Sequence, residues 1–214
     1  MLDISELSLN EGAFLVRLAR QAVTEYFHGR KLSPPSDTPS RLWERAGVFV
    51  TIELHGVPVH QRLRGCIGYP RPVMPLVQAT IDAAIQAAFL DPRFEPLRED
   101  ELGHVTFEVS VLSEPRLLEV NDPRKLPRMI VVGRDGLIIE KEPFAGLLLP
   151  QVPVEYGWDS ELYLMEACLK AGLPPDAWLD LDTKIYVFQA VIFREMKPKG
   201  DVLKRDLLKE LRSR

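Results

Sequence analysis

The chain has 214 residues, of which 46 % are hydrophobic and 27 % charged, enough to bury a core without disulfide or metal staples. Its 27 basic and 31 acidic residues leave a formal charge of -4 at pH 7, which argues against sequence-blind binding of nucleic acid by the whole molecule as its main task. Two cysteines, Cys66 and Cys168, exclude a disulfide-rich scaffold, and even the apolar stretch from Leu76 to Leu90 is broken by Gln78, Asp82 and Gln86, so no membrane span is expected.

No apolar leader with a small-residue cleavage site follows Met1, and the expected location is cytoplasmic. The first element reads as a helix with Asn10 as its cap and Leu9 and Phe14 as a hydrophobic staple. Leu15, Leu18, Ala22 and Tyr26 then recur at helical spacing until Gly29 ends the pattern. Pro34, Pro35 and Pro39, interleaved with serines, predict a surface loop. Val48 to Leu54 and Leu63 to Tyr69 read as paired strands around a His55-Gly56 turn. Pro72 and Pro75 open an alanine-rich helix that runs to Phe89 and stops at Asp91-Pro92. Val105, Phe107, Val109 and Val111 alternate with polar residues, the pattern of a half-buried strand.

Beyond Pro115, Met129 to Val132 and Leu137 to Glu140 read as two strands joined through Arg134-Asp135-Gly136, with a further strand at Leu147 to Leu149. Asp159 or Ser160 caps a helix that ends at Gly172, and Lys184 to Phe193 reads as a central strand. The segment 194–214 holds 8 basic and 4 acidic residues, and Leu203, Leu207 and Leu211 give it the spacing of a short amphipathic helix, read first as a solvated tail. Strands and helices without a regular alternation predict an α+β fold. The sheet is expected to be mixed or antiparallel with packed helices, in one domain over 1–214 that divides into a larger and a smaller lobe.

The stretch Leu63-Arg64-Gly65-Cys66-Ile67-Gly68 carries the most chemistry. On a strand the twofold period puts Arg64 and Cys66 on one face, while Gly65 and Gly68 leave the backbone open to close approach. A guanidinium beside a thiol favours the thiolate, which makes Cys66 a nucleophile or an anion-site partner. The alternative is a small buried hydrophobe beside a surface charge. Arg93, in Asp91-Pro92-Arg93-Phe94, can form a planar pair with a carboxylate such as Glu108 or reach an anionic ligand. Glu108, on the polar face of its strand, can act as acid or base or can orient an arginine, and Gln151 can donate to a ligand oxygen or to loop carbonyls. Trp158 reads as a packing anchor or an aromatic wall. His28, His55, His60 and His104 have no metal spacing, so no metal is expected; phosphate-loop and dinucleotide fingerprints are absent, and the sequence specifies no cofactor.

The stretch Leu63-Arg64-Gly65-Cys66-Ile67-Gly68-Tyr69 resembles the signature of the AMMECR1 domain family. The resemblance continues through Gly47-Val48-Phe49-Val50-Thr51, Ala88 to Phe94, Glu108 to Leu112, Leu149-Pro150-Gln151-Val152, Gly157-Trp158-Asp159 and Lys170 to Leu173. It implies an α+β fold of two subdomains separated by a cleft that the signature strand partly lines. It also places the family's arginine and cysteine on Arg64 and Cys66. Proteins of this kind occur fused to, or encoded near, Memo-like and radical S-adenosylmethionine proteins, which makes those the implied partners. Two functions follow: a small-molecule enzyme using Cys66 with Glu108 or water moving the proton, or a non-catalytic module holding an anionic substrate or a partner through Arg64, Arg93 and Gln151.

Overall fold

The computed structural model describes residues 2–213. In chain order the elements are α1 (Leu9–Phe27), β1 (Gly47–Leu54), α2 (Val59–Arg62), β2 (Leu63–Tyr69), α3 (Leu76–Phe89), β3 (Val105–Leu112), β4 (Arg116–Leu117), α4 (Leu126–Met129), β5 (Asp135–Lys141), β6 (Phe144–Leu148), α5 (Gln151–Tyr156), α6 (Ser160–Lys170), β7 (Lys184–Glu195), β8 (Val202–Lys204) and α7 (Leu207–Arg212). The chain is a mixed α+β protein with antiparallel strand pairing, and it divides into two compact units. The first comprises residues 1–113 and 191–205, the second 114–190 and 206–214.

In the first unit the strand order is β2-β1-β3 followed by the 191–195 end of β7, to which β8 is added; residues 184–190 of the same strand belong to the second unit. The apolar faces of α1 and α3 pack on this sheet around Leu15, Val16, Ala83, Ala84, Val48, Val50, Phe107 and Val109, all fully buried. The cap of α1 is Ser8 rather than Asn10. Its hydroxyl accepts the N–H of Glu11 at 3.2 Å, and the Glu11 carboxylate returns to the Ser8 N–H at 2.9 Å. This reciprocal box satisfies two orphan donors, which a lone asparagine two residues later does not match. Gly29, at φ 71°, follows the end of α1 as its spacing predicts.

β3 departs from the half-buried expectation, because both of its faces are covered: Thr106, Glu108 and Ser110 are buried along with Phe107 and Val109 between them. The returning segment of this unit is fastened by a buried ion pair. Arg20 Nε donates to Glu195 Oε1 at 2.7 Å, its remaining nitrogens donate to the carbonyls of Leu102 and Val105, and Glu195 Oε2 accepts the N–H of Phe107 at 3.0 Å.

In the second unit β7 lies between β4 and β5, and β6 pairs with β5. Its core gathers Leu137, Ile139, Tyr163, Leu164 and Ala167. Met129 to Val132 is not a strand. Pro123 and Pro127 open short helical turns there, and the Asp135 carboxylate takes the Val131 N–H at 2.8 Å. The hairpin therefore forms one element later, between β5 and β6, and Pro150 opens the unanticipated helix α5. Leu203, counted with a terminal helix from its spacing, lies instead in β8, and the helix holds only Leu207 to Arg212. Among the described residues no helix is long and apolar enough to cross a membrane.

Candidate functional site

β2 is the outer strand of the first unit's sheet, so one row of its backbone groups has no strand beside it. At Cys66 that row is closed by side chains. Asp91 Oδ2 accepts the Cys66 N–H at 2.8 Å, and Arg93 Nη2 donates to the Cys66 carbonyl at 3.2 Å. The two side chains hold each other, Arg93 Nε to Asp91 Oδ1 at 2.9 Å and Nη2 to Oδ2 at 2.7 Å, and Asp91 Oδ1 also accepts the Arg93 N–H. Asp91-Pro92-Arg93 thus stands in for the missing neighbour strand. Burial favours a neutral Asp91, but the Arg93 side chain and the backbone donors outweigh it and hold this carboxyl below its ordinary range.

Because the Cys66 backbone groups point outward, its cross-strand pair with Thr51 is of the non-hydrogen-bonded kind, in which side chains approach most closely. The Thr51 hydroxyl accordingly donates to Cys66 Sγ at 3.3 Å. Thr51 is paired in turn with Glu108 on β3, so Cys66, Thr51 and Glu108 form a row across three strands. Glu108 accepts from Arg205 Nη1 at 2.9 Å, not from Arg93. Burial pushes the Cys66 thiol up to about 11. The Thr51 hydrogen bond and the Arg93 charge oppose that rise, and the negative charges of Glu108 and Asp91 reinforce it. The thiol is therefore protonated at neutral pH, contrary to the expectation of a guanidinium-stabilised thiolate.

The charge near the thiol belongs to Arg93. Strand pairing joins Ile52 to Gly65 but Glu53 to Leu63, so Arg64 is the extra residue of a bulge and the simple twofold alternation fails there. Its guanidinium is spent on Glu101, at 2.8 and 3.0 Å, and on the carbonyls of Glu95 and Pro96. Arg64 in turn holds the Glu101 carboxyl below its usual range.

Gly65 and Gly68 do permit close approach, but by the chain itself. A Cβ at Gly65 meets the Ala87 carbonyl oxygen of α3 at 2.0 Å, and one at Gly68 meets the Val48 oxygen at 2.1 Å. Gln151 is the buried first residue of α5 and belongs to the second unit. Trp158, partly buried against that unit's core, stacks on Tyr156 with ring centres 5.1 Å apart. His104 precedes β3 by one residue, which puts it four positions along the strand direction from Glu108, on the order of 13 Å from the cysteine row. Among the described residues no group of three or more histidines, cysteines or carboxylates is placed to hold a metal.

Thr51, Asp91, Glu101 and Arg205 are the residues that the sequence pattern did not assign to this cluster. Asp91 was legible as a turn former, and its spacing from Arg93 suits that role. Its bond to Cys66 spans 25 residues and has no local signal.

The comparisons agree on one relationship. The family model described as AMMECR1 matches residues 16–193. Protein TK0174 of Thermococcus kodakarensis is 59 % identical over 198 residues, covering 92 % of this chain and 96 % of that protein. A protein of Thermofilum pendens is 56 % identical over 210 residues, with 95 % and 99 % covered. The crystal structure of the uncharacterized protein PH0010 from Pyrococcus horikoshii matches with a TM-score of 0.90 at 56 % identity, covering 92 % of this chain and 97 % of that one.

Proposed function

The chain belongs to the AMMECR1 family, and from that premise we propose that it is a non-catalytic binding module whose Cys66 strand and Arg93 hold an anionic group of a substrate or partner. The observation that carries this reading is that the charged residues around Cys66 are matched internally: Arg64 with Glu101, Arg93 with Asp91, and Glu108 with Arg205. A protonated thiol between satisfied pairs offers shape and hydrogen-bond donors, not a nucleophile with a waiting base. Arg93 is the group suited to contact. Its side chain is 41 % exposed, and its bonds to Asp91 and Cys66 use Nε and Nη2, leaving Nη1 for a carboxylate or phosphate oxygen. All of these groups lie in the first unit, so the reading does not depend on a cleft between lobes or on Gln151.

The partner classes suggested by the family resemblance, a radical S-adenosylmethionine protein or a Memo-like protein, and a cytoplasmic location belong to this proposal. Its test is binding of those purified partners to the immobilised chain. Binding is expected to survive Cys66→Ala and to fall at least about tenfold in Arg93→Ala. The opposite order would overturn the reading.

An enzymatic alternative draws on the Cys66-Thr51-Glu108 row, in which Thr51 bridges a thiol and a carboxylate strand. It requires ligand binding to expel Arg205 from Glu108 and free that carboxylate as a base. Rapid, selective alkylation of Cys66 near pH 7 in the presence of a candidate ligand, and not without it, would favour this alternative.

A further inference from the structure

A second collection of cations lies in the first unit, sharing no residue with the cysteine site. α1 and the turn joining β7 to β8 flank an open surface hollow of about 370 Å³, lined by Arg17, Gln21 and Thr24 on the helix side and by Lys199 on the turn. Its floor is the Arg20–Glu195 pair, which is electrically closed: the guanidinium is used up by Glu195 and two carbonyls, and the carboxylate by Arg20 and the Phe107 N–H. The net charge of the hollow is therefore set by Arg17 and Lys199. Among the described residues no carboxylate pairs with either.

Lys199 adds an independent observation. At φ 59° it is the one non-glycine residue with positive φ among those described, although such a turn position ordinarily takes glycine or asparagine. Left-handed backbone at a lysine is strained, and strain of this kind collects at functional positions. The hollow also continues. A neighbouring one of about 320 Å³ shares Arg17 and Gln21 and runs along Ala13, Phe14 and Leu18 to Pro35, so a cationic end adjoins an apolar one.

We propose that the two hollows form one binding site for a phosphate monoester bearing an apolar or aromatic group. The phosphate lies between Arg17 and Lys199 with the Gln21 amide as a third donor, and the apolar part covers Phe14 and Pro35. Two full cations and an amide lining one hollow, the arginine and the amide from α1 and the lysine from the turn, match an oxyanion with three terminal oxygens and a charge near -2. A carboxylate would leave one cation unbalanced. The combined volume suits a small organic phosphate and far exceeds a free anion.

The test is titration of the full chain with inorganic phosphate and with phenyl phosphate, followed by amide chemical shifts of α1 and of residues 196–201. Both are expected to saturate, with phenyl phosphate binding about tenfold more tightly because its ring buries apolar surface. Arg17→Ala changes an exposed side chain and Lys199→Gly relieves the left-handed strain, so both variants fold. Each is expected to weaken both ligands about tenfold, with the melting temperature of Lys199→Gly unchanged or raised. Unaltered affinity in both variants, equal affinity for the two probes, or shifts reproduced by sodium chloride at matched ionic strength would each overturn the proposal.

Discussion

The Asp91 carboxylate accepts the backbone N–H of Cys66 across 25 residues of sequence, at 2.8 Å, while holding the arginine that donates to the same residue's carbonyl. An edge strand that would otherwise present open backbone groups is closed by two side chains, and the cysteine is fixed in place from the outside.

Asp91→Ala removes that closure and is expected to cost about 2–3 kcal/mol, because the Cys66 N–H loses a charged acceptor and Arg93 loses its anchor. Asp91→Asn keeps one acceptor and costs about half as much. Because the folded state holds the Asp91 carboxyl below its ordinary value, its contribution is complete above about pH 4 and disappears as pH falls through the lower folded value. Urea unfolding from pH 6 to pH 2.5 should show this acid loss in the native protein and a smaller one in Asp91→Asn.

Cys66 should be slow toward iodoacetamide at neutral pH. A thiol pushed up to about 11 carries a thiolate fraction about 300-fold smaller than a free cysteine near 8.5. The alkylation rate of Cys66, read by peptide mass spectrometry, should climb until about pH 11. A plateau below pH 8 would contradict the raised value of this partly buried thiol. The raised value also has a consequence for folding: the stability it contributes is present below about pH 8.5 and is lost as pH rises through 11.

Three glycine-to-alanine changes separate packing from backbone freedom. At Gly65 and Gly68 the new methyl meets a backbone oxygen at 2.0 or 2.1 Å, and neither α3 nor β1 can withdraw without breaking its own contacts. Each change is expected to cost about 3 kcal/mol or more. At Gly103 nothing lies within 4 Å and φ is not positive, so alanine should be neutral or stabilising by about 0.5 kcal/mol. Thermal melts of the three variants make the comparison.

Arg20→Met leaves the carboxylate of Glu195, only 2 % exposed, with a single backbone donor. An uncompensated buried charge predicts a loss of about 3–5 kcal/mol. The double change Arg20→Met with Glu195→Gln should recover a substantial part of it. Chemical denaturation of the four proteins of this cycle yields the coupling directly.

What could be read without coordinates is what depends on neighbours in sequence. β2 spans Leu63 to Tyr69 as its residues predict, α3 begins after Pro75 and ends before Asp91, and Gly29 and Gly172 mark helix ends through their left-handed backbone. Each of these signals is carried by sterics or hydrogen bonding within a few residues. The misread elements failed where two local signals competed. Met129 to Val132 has the residues of a strand, yet the prolines and the Asp135 carboxylate on either side hold it as a turn. Ser8 outcompetes Asn10 as a cap because Glu11 completes a reciprocal bond.

The chemistry around the cysteine was decided by contacts that no periodicity encodes. The hexapeptide by itself determined that a cysteine, an arginine and two glycines share one strand. A one-residue bulge then sent Arg64 to Glu101, and the turn after α3 brought Arg93 and Asp91 to Cys66 in its place. Register between β1, β2 and β3 put Thr51 and Glu108 in line with the thiol, and Arg205 reached Glu108 from 97 residues away. Side-chain identity is written locally, but the partner that satisfies each charge is chosen by desolvation: only once the chain is packed does a buried carboxylate or guanidinium have to find its counterpart.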